Sequence, residues 1–109
     1  MTVFAVQEVS HLNFSDAERF GEIHFLSKHD VMADRRNGTL NSDIIANLKG
    51  MIQQNYDVEE DFLLLCGDPI LIGIAMHEVL TARKAYGTIK PVKILKYDRV
   101  RSGYSIIEL

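Results

Sequence analysis

The stretch Asp61–Leu80, DFLLLCGDPILIGIAMHEVL, decides the fold of this chain. Phe62 to Cys66 shows no alternation of apolar and polar residues, so both faces of the strand it predicts must be covered, as in the middle of a parallel or mixed sheet. Asp68-Pro69 then reads as a helix N-cap followed by a first helical residue. The carboxylate can accept bonds from exposed first-turn amides, and proline has no amide to leave unpaired. The spacing predicts a helix to about Tyr86, stopped by Gly87 as a left-handed cap. Leu71, Ala75, Val79, Ala82 and Tyr86 make its expected buried stripe. Ile70 and Ile74 point to the opposite side and ask for a second cover, from this chain or from a partner, and Gly73 would allow a close approach.

On the N-terminal side, Val3 to Val9 is rich in β-branched and aromatic residues and predicts a strand. Ser15 and Asp16 can cap one helical turn through Arg19, with Phe14 and Phe20 as apolar anchors and Gly21 at its end. Glu22 to Ser27 alternates as a half-covered strand does. Residues 28–39 hold the turn dipeptide Asn37-Gly38 among charges of both signs and predict an exposed loop. A helix starts at Asn41 or Ser42, with Ile44, Ile45, Leu48, Met51 and Ile52 on one side. Beyond the central helix, Val92 to Tyr97 and Gly103 to Leu109 predict two strands joined as a hairpin. The order β-β-α-β-α-β-β contains two strand-helix-strand units sharing the central strand. It predicts one small α/β domain over residues 1–109, α+β being the neighbouring class, with a mixed sheet of about five strands and two main helices.

Composition agrees with one hydrophobic core: 109 residues, 47% hydrophobic and 25% charged, belong to an ordinary globular chain. A single cysteine, Cys66, excludes an internal disulfide and favours a reducing compartment. No segment reaches the roughly 18 apolar residues of a membrane span, and no basic stretch precedes a long apolar run, so neither a membrane nor a signal peptide is expected. The net charge of -3 is unevenly spread. Residues 1–82 carry five basic and thirteen acidic side chains, and residues 83–101 carry seven basic and one acidic. Such segregation bears on partners rather than on fold.

Four sets of residues are candidate sites, each with a plainer reading. The corner Cys66, Gly67, Asp68 lies where open α/β sheets bind ligands, but it has one glycine and no lysine, and its aspartate already occupies the amide site. Cys66 as a buried apolar residue is preferred to Cys66 as a nucleophile, because the sequence places no base beside it. The four histidines His11, His24, His29 and His77 have no metal-site spacing, and His77-Glu78 lacks the second histidine of a metalloprotease helix, so no metal or other cofactor is expected. The basic third is the strongest functional lead. Lys90, Lys93, Lys96, Arg99 and Arg101 with Tyr97 on a hairpin can neutralise phosphates and stack on bases. The plainer reading is a solvated edge whose lysines deter aggregation.

Several motifs together resemble a group of short, uncharacterised tailed-bacteriophage proteins. These are D-x-L-L-x-x-G-D-P at Asp61 to Pro69, I-L-K-Y-D-R at Ile94 to Arg99, Y-x-I-I-x-L at Tyr104 to Leu109, V-F-x-V-Q at Val3 to Gln7, and the Phe20-Gly21 step. The chain departs from that pattern in having Tyr97 where tryptophan is usual and in a less proline-rich segment over residues 28–39. The resemblance implies a phage accessory protein acting in the host cytoplasm and supplies no catalytic residue. With no catalytic constellation in the sequence, the expected role is non-enzymatic. The chain would bind a host or phage macromolecule, protein or nucleic acid, through the basic hairpin, with Ile70 and Ile74 as further contacts. The alternatives are a small-molecule or nucleotide binder at the Gly67-Asp68 corner and a structural homo-oligomer.

Overall fold

Phe62–Leu64 (β5) is the middle strand of a five-stranded sheet, and all three of its residues are buried. A computed structural model describes residues 1–9, 13–28, 33–34, 39–40 and 42–109, with residues 33–34 and 39–40 described in their backbone only. In chain order the elements are β1 (Thr2–Ala5), a 3-10 helix (Ser15–Phe20), β2 (Glu22–Phe25), β3 (Ala33–Asp34), β4 (Thr39–Leu40), α1 (Ser42–Asn55), β5, α2 (Pro69–Tyr86), β6 (Lys93–Asp98) and β7 (Gly103–Glu108). The sheet order is β2-β1-β5-β6-β7, parallel except for the antiparallel β6–β7 hairpin. The expected mixed α/β architecture is therefore present.

Handedness explains the layers. The connection from β1 to β2 runs one way along the sheet, and those from β2 to β5 and from β5 to β6 run the other way. Right-handed crossovers in opposite directions must lie on opposite faces. Accordingly α1 and α2 pack together on the face of Phe4, Val6, Leu63 and Ile94. The 3-10 helix inserts Ala17 on the face of Val3, Ala5, Phe62, Leu64 and Leu95, with Phe14 and Phe20 beside it. The parity of the strand residues sends alternate side chains to the two cores, which is why β5 needed apolar residues throughout.

Local chemistry sets the limits of α2. Asp68 Oδ1 accepts from the amides of Ile70 (2.8 Å) and Leu71 (3.4 Å), Pro69 is the first helical residue, and Gly87 (φ 79°) returns its amide to the Arg83 and Lys84 carbonyls. Leu71, Ala75 and Val79 are buried as the periodicity required. Tyr86 is a correction: it is 63% exposed. An 18-residue helix is about 27 Å long, and its last turn runs past the short strands that cover its middle. Ile74 packs against the α-helical core of its own chain, while Ile70 is 57% exposed. Glu78 is buried and accepts from Gln53 Nε2 at 3.3 Å, joining the two helices.

Other boundaries shift. The β1 ladder ends at Ala5, although Val6 still donates to Leu64 O and Glu8 to Ser27 O. Within the segment expected to be a loop, Ala33–Asp34 pairs antiparallel with Thr39–Leu40. The Asn37-Gly38 turn, Asn41, His11 and His29 lie outside the described residues. At the opposite end of the sheet, Asp61 is buried. Its Oδ1 accepts the Thr2 amide at 2.9 Å and its Oδ2 the Asp57 amide at 2.8 Å, fixing the starts of β1 and β5 together.

Candidate functional site

The order of strands reverses between β1 and β5, the place where an open α/β sheet usually leaves a ligand crevice beyond its strand ends. Here a glutamine fills it. Gln7 follows β1, is buried, and its Oε1 accepts the Asp68 amide at 2.8 Å while its backbone carbonyl accepts the Cys66 thiol at 3.1 Å. Gly67 has φ 99°, and a Cβ there would lie 2.2 Å from Gln7 Oε1. The glycine thus serves both a left-handed turn and the close approach of a side chain. The carboxylate of Asp68 is held by the amides of α2. Cys66 is buried, and burial pushes its thiol pKa up, against the lowering effect of its hydrogen bonds to backbone. His24 stacks edge-on against Phe4 on the helical face and His77 is exposed on α2, whereas Cys66 belongs to the opposite core. Neither histidine stands beside the thiol, and among the described residues no group of three or more His, Cys, Asp or Glu side chains could hold a metal ion.

A cleft of about 790 Å³ opens on the other side of β1, between the end of β2 and α1. Phe25, Leu26, Ile44 and Met51 form its apolar wall, and Lys28 and Asn47 are polar.

The hairpin at the far edge has a more specific geometry. Asp98 Oδ1 accepts the amides of Val100 (2.9 Å) and Arg101 (3.4 Å), and Arg101 Nε lies 3.8 Å from Asp98 Oδ2, so the aspartate organises the turn. The six expected binding residues are spread over the hairpin. Lys90 and Lys93 sit at its start, where Lys90 pairs with Glu59 at 3.8 Å and Lys93 Nζ donates to Glu59 O at 3.1 Å beneath the Phe62 ring. Arg99 and Arg101 sit at the turn, about 17 Å away along the strand. Between them Lys96 lies opposite Ser105 on the helical face and Tyr97 opposite Tyr104 on the other, with the two tyrosine rings 5.3 Å apart. Lys96 and Arg99 are exposed.

β7 is the outermost strand. Val92 and Leu109 exchange both backbone bonds, so by alternation Ile107, Ser105 and Gly103 also turn their amides and carbonyls toward β6. Tyr104, Ile106 and Glu108 turn theirs outward. The outward groups of Tyr104 are taken: its amide donates to Asp16 Oδ2 at 2.8 Å, and its carbonyl accepts Arg19 Nη2 at 3.0 Å. Asp16 and Arg19 are themselves paired at 3.3 Å, and the guanidinium lies over the Phe20 ring. Gly103 permits this clasp, since a Cβ there would lie 2.9 Å from Asp16 Oδ2. The Tyr104 ring is buried and its hydroxyl donates to Asn13 O, and burial raises its pKa. The outward groups of Ile106 and Glu108 meet no partner among the described residues. Ile106 (46%), Ile107 (41%) and Leu109 (51%) are exposed beside them. A hydrophobic strand edge with free backbone groups is a template for another strand.

The family model described as Phage Pam3 gp32-like protein matches residues 1–109. The chain belongs to this family. As a Phage Pam3 gp32-like protein it is a bacteriophage protein, which agrees with the group its motifs resemble. No curated protein and no solved structure matches it significantly. No helix among the described residues is long and apolar enough to cross a membrane.

Sequence reasoning singled out the basic residues of the hairpin and missed Asp16, Arg19, Ile106, Ile107 and Gln7. Gly103 after the charged turn and two adjacent isoleucines in a terminal strand were the available signals. Neither shows which backbone groups face outward until the register is known.

Proposed function

We propose that this chain is a non-enzymatic phage accessory protein, acting in the host cytoplasm, that binds a protein partner by strand addition at the β7 edge. The observation that carries this reading is the pair of outward residues Ile106 and Glu108, unpartnered among the described residues, beside exposed Ile107 and Leu109. Backbone groups would give affinity, and the exposed side chains would select the added strand. A nucleic-acid partner is less favoured, because Lys90, Lys93 and Arg101 are engaged with neighbouring groups and the basic residues form no continuous track. Lys96, opposite Ser105 on the strand next to the edge, and Arg99, in the hairpin turn, are exposed cations of the same hairpin and favour an incoming strand that carries acid groups. The small-molecule alternative at the Gly67-Asp68 corner is disfavoured by the Gln7 side chain that packs there.

The test is capture from infected cells with the wild-type chain, with Ile106→Pro, and with Lys96→Glu/Arg99→Glu. Proline at an outward edge position removes a free donor without breaking a ladder bond. The proline variant is expected to lose the captured protein while the chain stays folded, and the charge variant to capture it more weakly in low salt. Undiminished capture by the folded proline variant would overturn the reading.

A further inference from the structure

The clasp on Tyr104 leaves room for one particular self-pairing. We propose that, before its partner arrives, the β7 edge is closed by a second copy of this chain, with the two β7 strands antiparallel about a two-fold axis through Ile107. This rests on the reading of the β7 edge as the docking site and names the occupant that a partner must displace. An antiparallel ladder between two edges must join residues whose backbone groups point outward on both strands. Those are Tyr104, Ile106 and Glu108, and Tyr104 is already bonded to Asp16 and Arg19. The pairing that uses both open residues and spares the clasp sets Ile106 against the partner's Glu108 and Glu108 against the partner's Ile106. It exchanges two backbone bonds at each of these pairs and is isologous, as closed dimers are.

Side chains agree with that register. On the helical face Ile107 meets the partner's Ile107 at the axis, and Leu109 meets the partner's Ser105, covering residues that are 41% and 51% exposed in the single chain. On the other face the partner's Glu108 is the diagonal neighbour of Tyr104, whose carbonyl holds the Arg19 guanidinium. Arg19 spends donors on Tyr104 and Asp16 and has others left for that carboxylate. Charge complementarity therefore falls where the register puts it. The opposite edge offers less: β2 has four residues and carries Glu22 and His24.

The test is cysteine trapping of the full chain at micromolar concentration with diamide, which takes up the two electrons and two protons released when two thiols join. In the proposed register the two Ile107 Cα atoms face each other in a non-hydrogen-bonded pair, about 4.5 Å apart and within disulfide range. The two Ile106 Cα atoms are diagonal, about 7–8 Å apart and at or beyond that range. Cys66 is buried and stays in place. Ile107→Cys is expected to form covalent dimer about tenfold faster than Ile106→Cys, in line with that difference in reach, and Glu108→Lys to slow it. Equal rates, or faster trapping of Ile106→Cys, would overturn the proposal. So would a wild-type chain that stays monomeric by sedimentation up to millimolar concentration. A monomer whose Ile106→Pro variant still loses its captured protein would overturn self-pairing alone, and a dimer whose Ile106→Pro variant captures normally would overturn the docking function alone.

Discussion

Asp16 accepts the amide of Tyr104 across 2.8 Å, tying the 3-10 helix to a strand 88 residues later and closing one step of an otherwise open sheet edge. The bond carries a charge on its acceptor, and such bonds contribute about 1.5–3 kcal/mol. Asp16→Ala is expected to lower stability by about 1–2 kcal/mol at this half-exposed site. Urea denaturation measures the loss, and faster hydrogen exchange of the Tyr104 amide locates it.

Gly67 and Gln7 are coupled by contact. Gly67→Ala places a Cβ 2.2 Å from Gln7 Oε1 at φ 99° and is expected to cost about 2–4 kcal/mol from strain and overlap together. Gln7→Ala removes the overlap with Oε1 and Cδ, leaves its own Cβ 2.5 Å from the added one, and loses the bond to the Asp68 amide. The double variant is therefore expected to cost less than the sum of the single ones, which a double-mutant cycle in urea would measure.

The Tyr56 hydroxyl is buried without a hydrogen-bond partner among the described residues, and its pKa is pushed up to about 12, chiefly by burial and then by Asp61. Tyr56→Phe is expected to be neutral or to stabilise by up to about 1 kcal/mol, since it removes an unpaired polar group. The folded pKa lies above the unfolded value of 10.0. The unfolded chain thus loses its proton first, and the tyrosine's stability contribution, intact below pH 10, is lost as pH rises toward 12. Phenylalanine should flatten that part of the stability profile, read by thermal unfolding at successive pH values.

Cys66 donates to the Gln7 carbonyl from a buried position, and its thiol pKa is raised. A thiol reagent at neutral pH should label it only as fast as the chain opens and at once in denaturant. Rapid labelling of the native chain would contradict the placement of this side chain.

Much of the architecture was legible because the governing interactions are local. The unbroken apolar run Phe62 to Cys66 required cover on both faces, and Asp68, Pro69 and Gly87 set the ends of α2 by their own backbone chemistry. The burial of Tyr86 was misjudged because periodicity does not tell where a covering sheet ends. The candidate sites were less legible for a related reason. Lys96 and Tyr97 are neighbours in sequence and lie on opposite faces of a strand, so a basic run in the sequence is not a patch on the surface. Gln7 meets Gly67, and Asp16 meets Tyr104, only through the sheet order and its register.

Hydrogen exchange of single amides in the dilute free chain tests the central claim directly. The amides of Ile106 and Glu108 should exchange at close to unprotected rates while those of Tyr104, Ser105 and Ile107 are slow. Ile106 and Glu108 amides as slow as their neighbours in a monomeric sample would mean that the edge is already covered, and the docking account would be wrong.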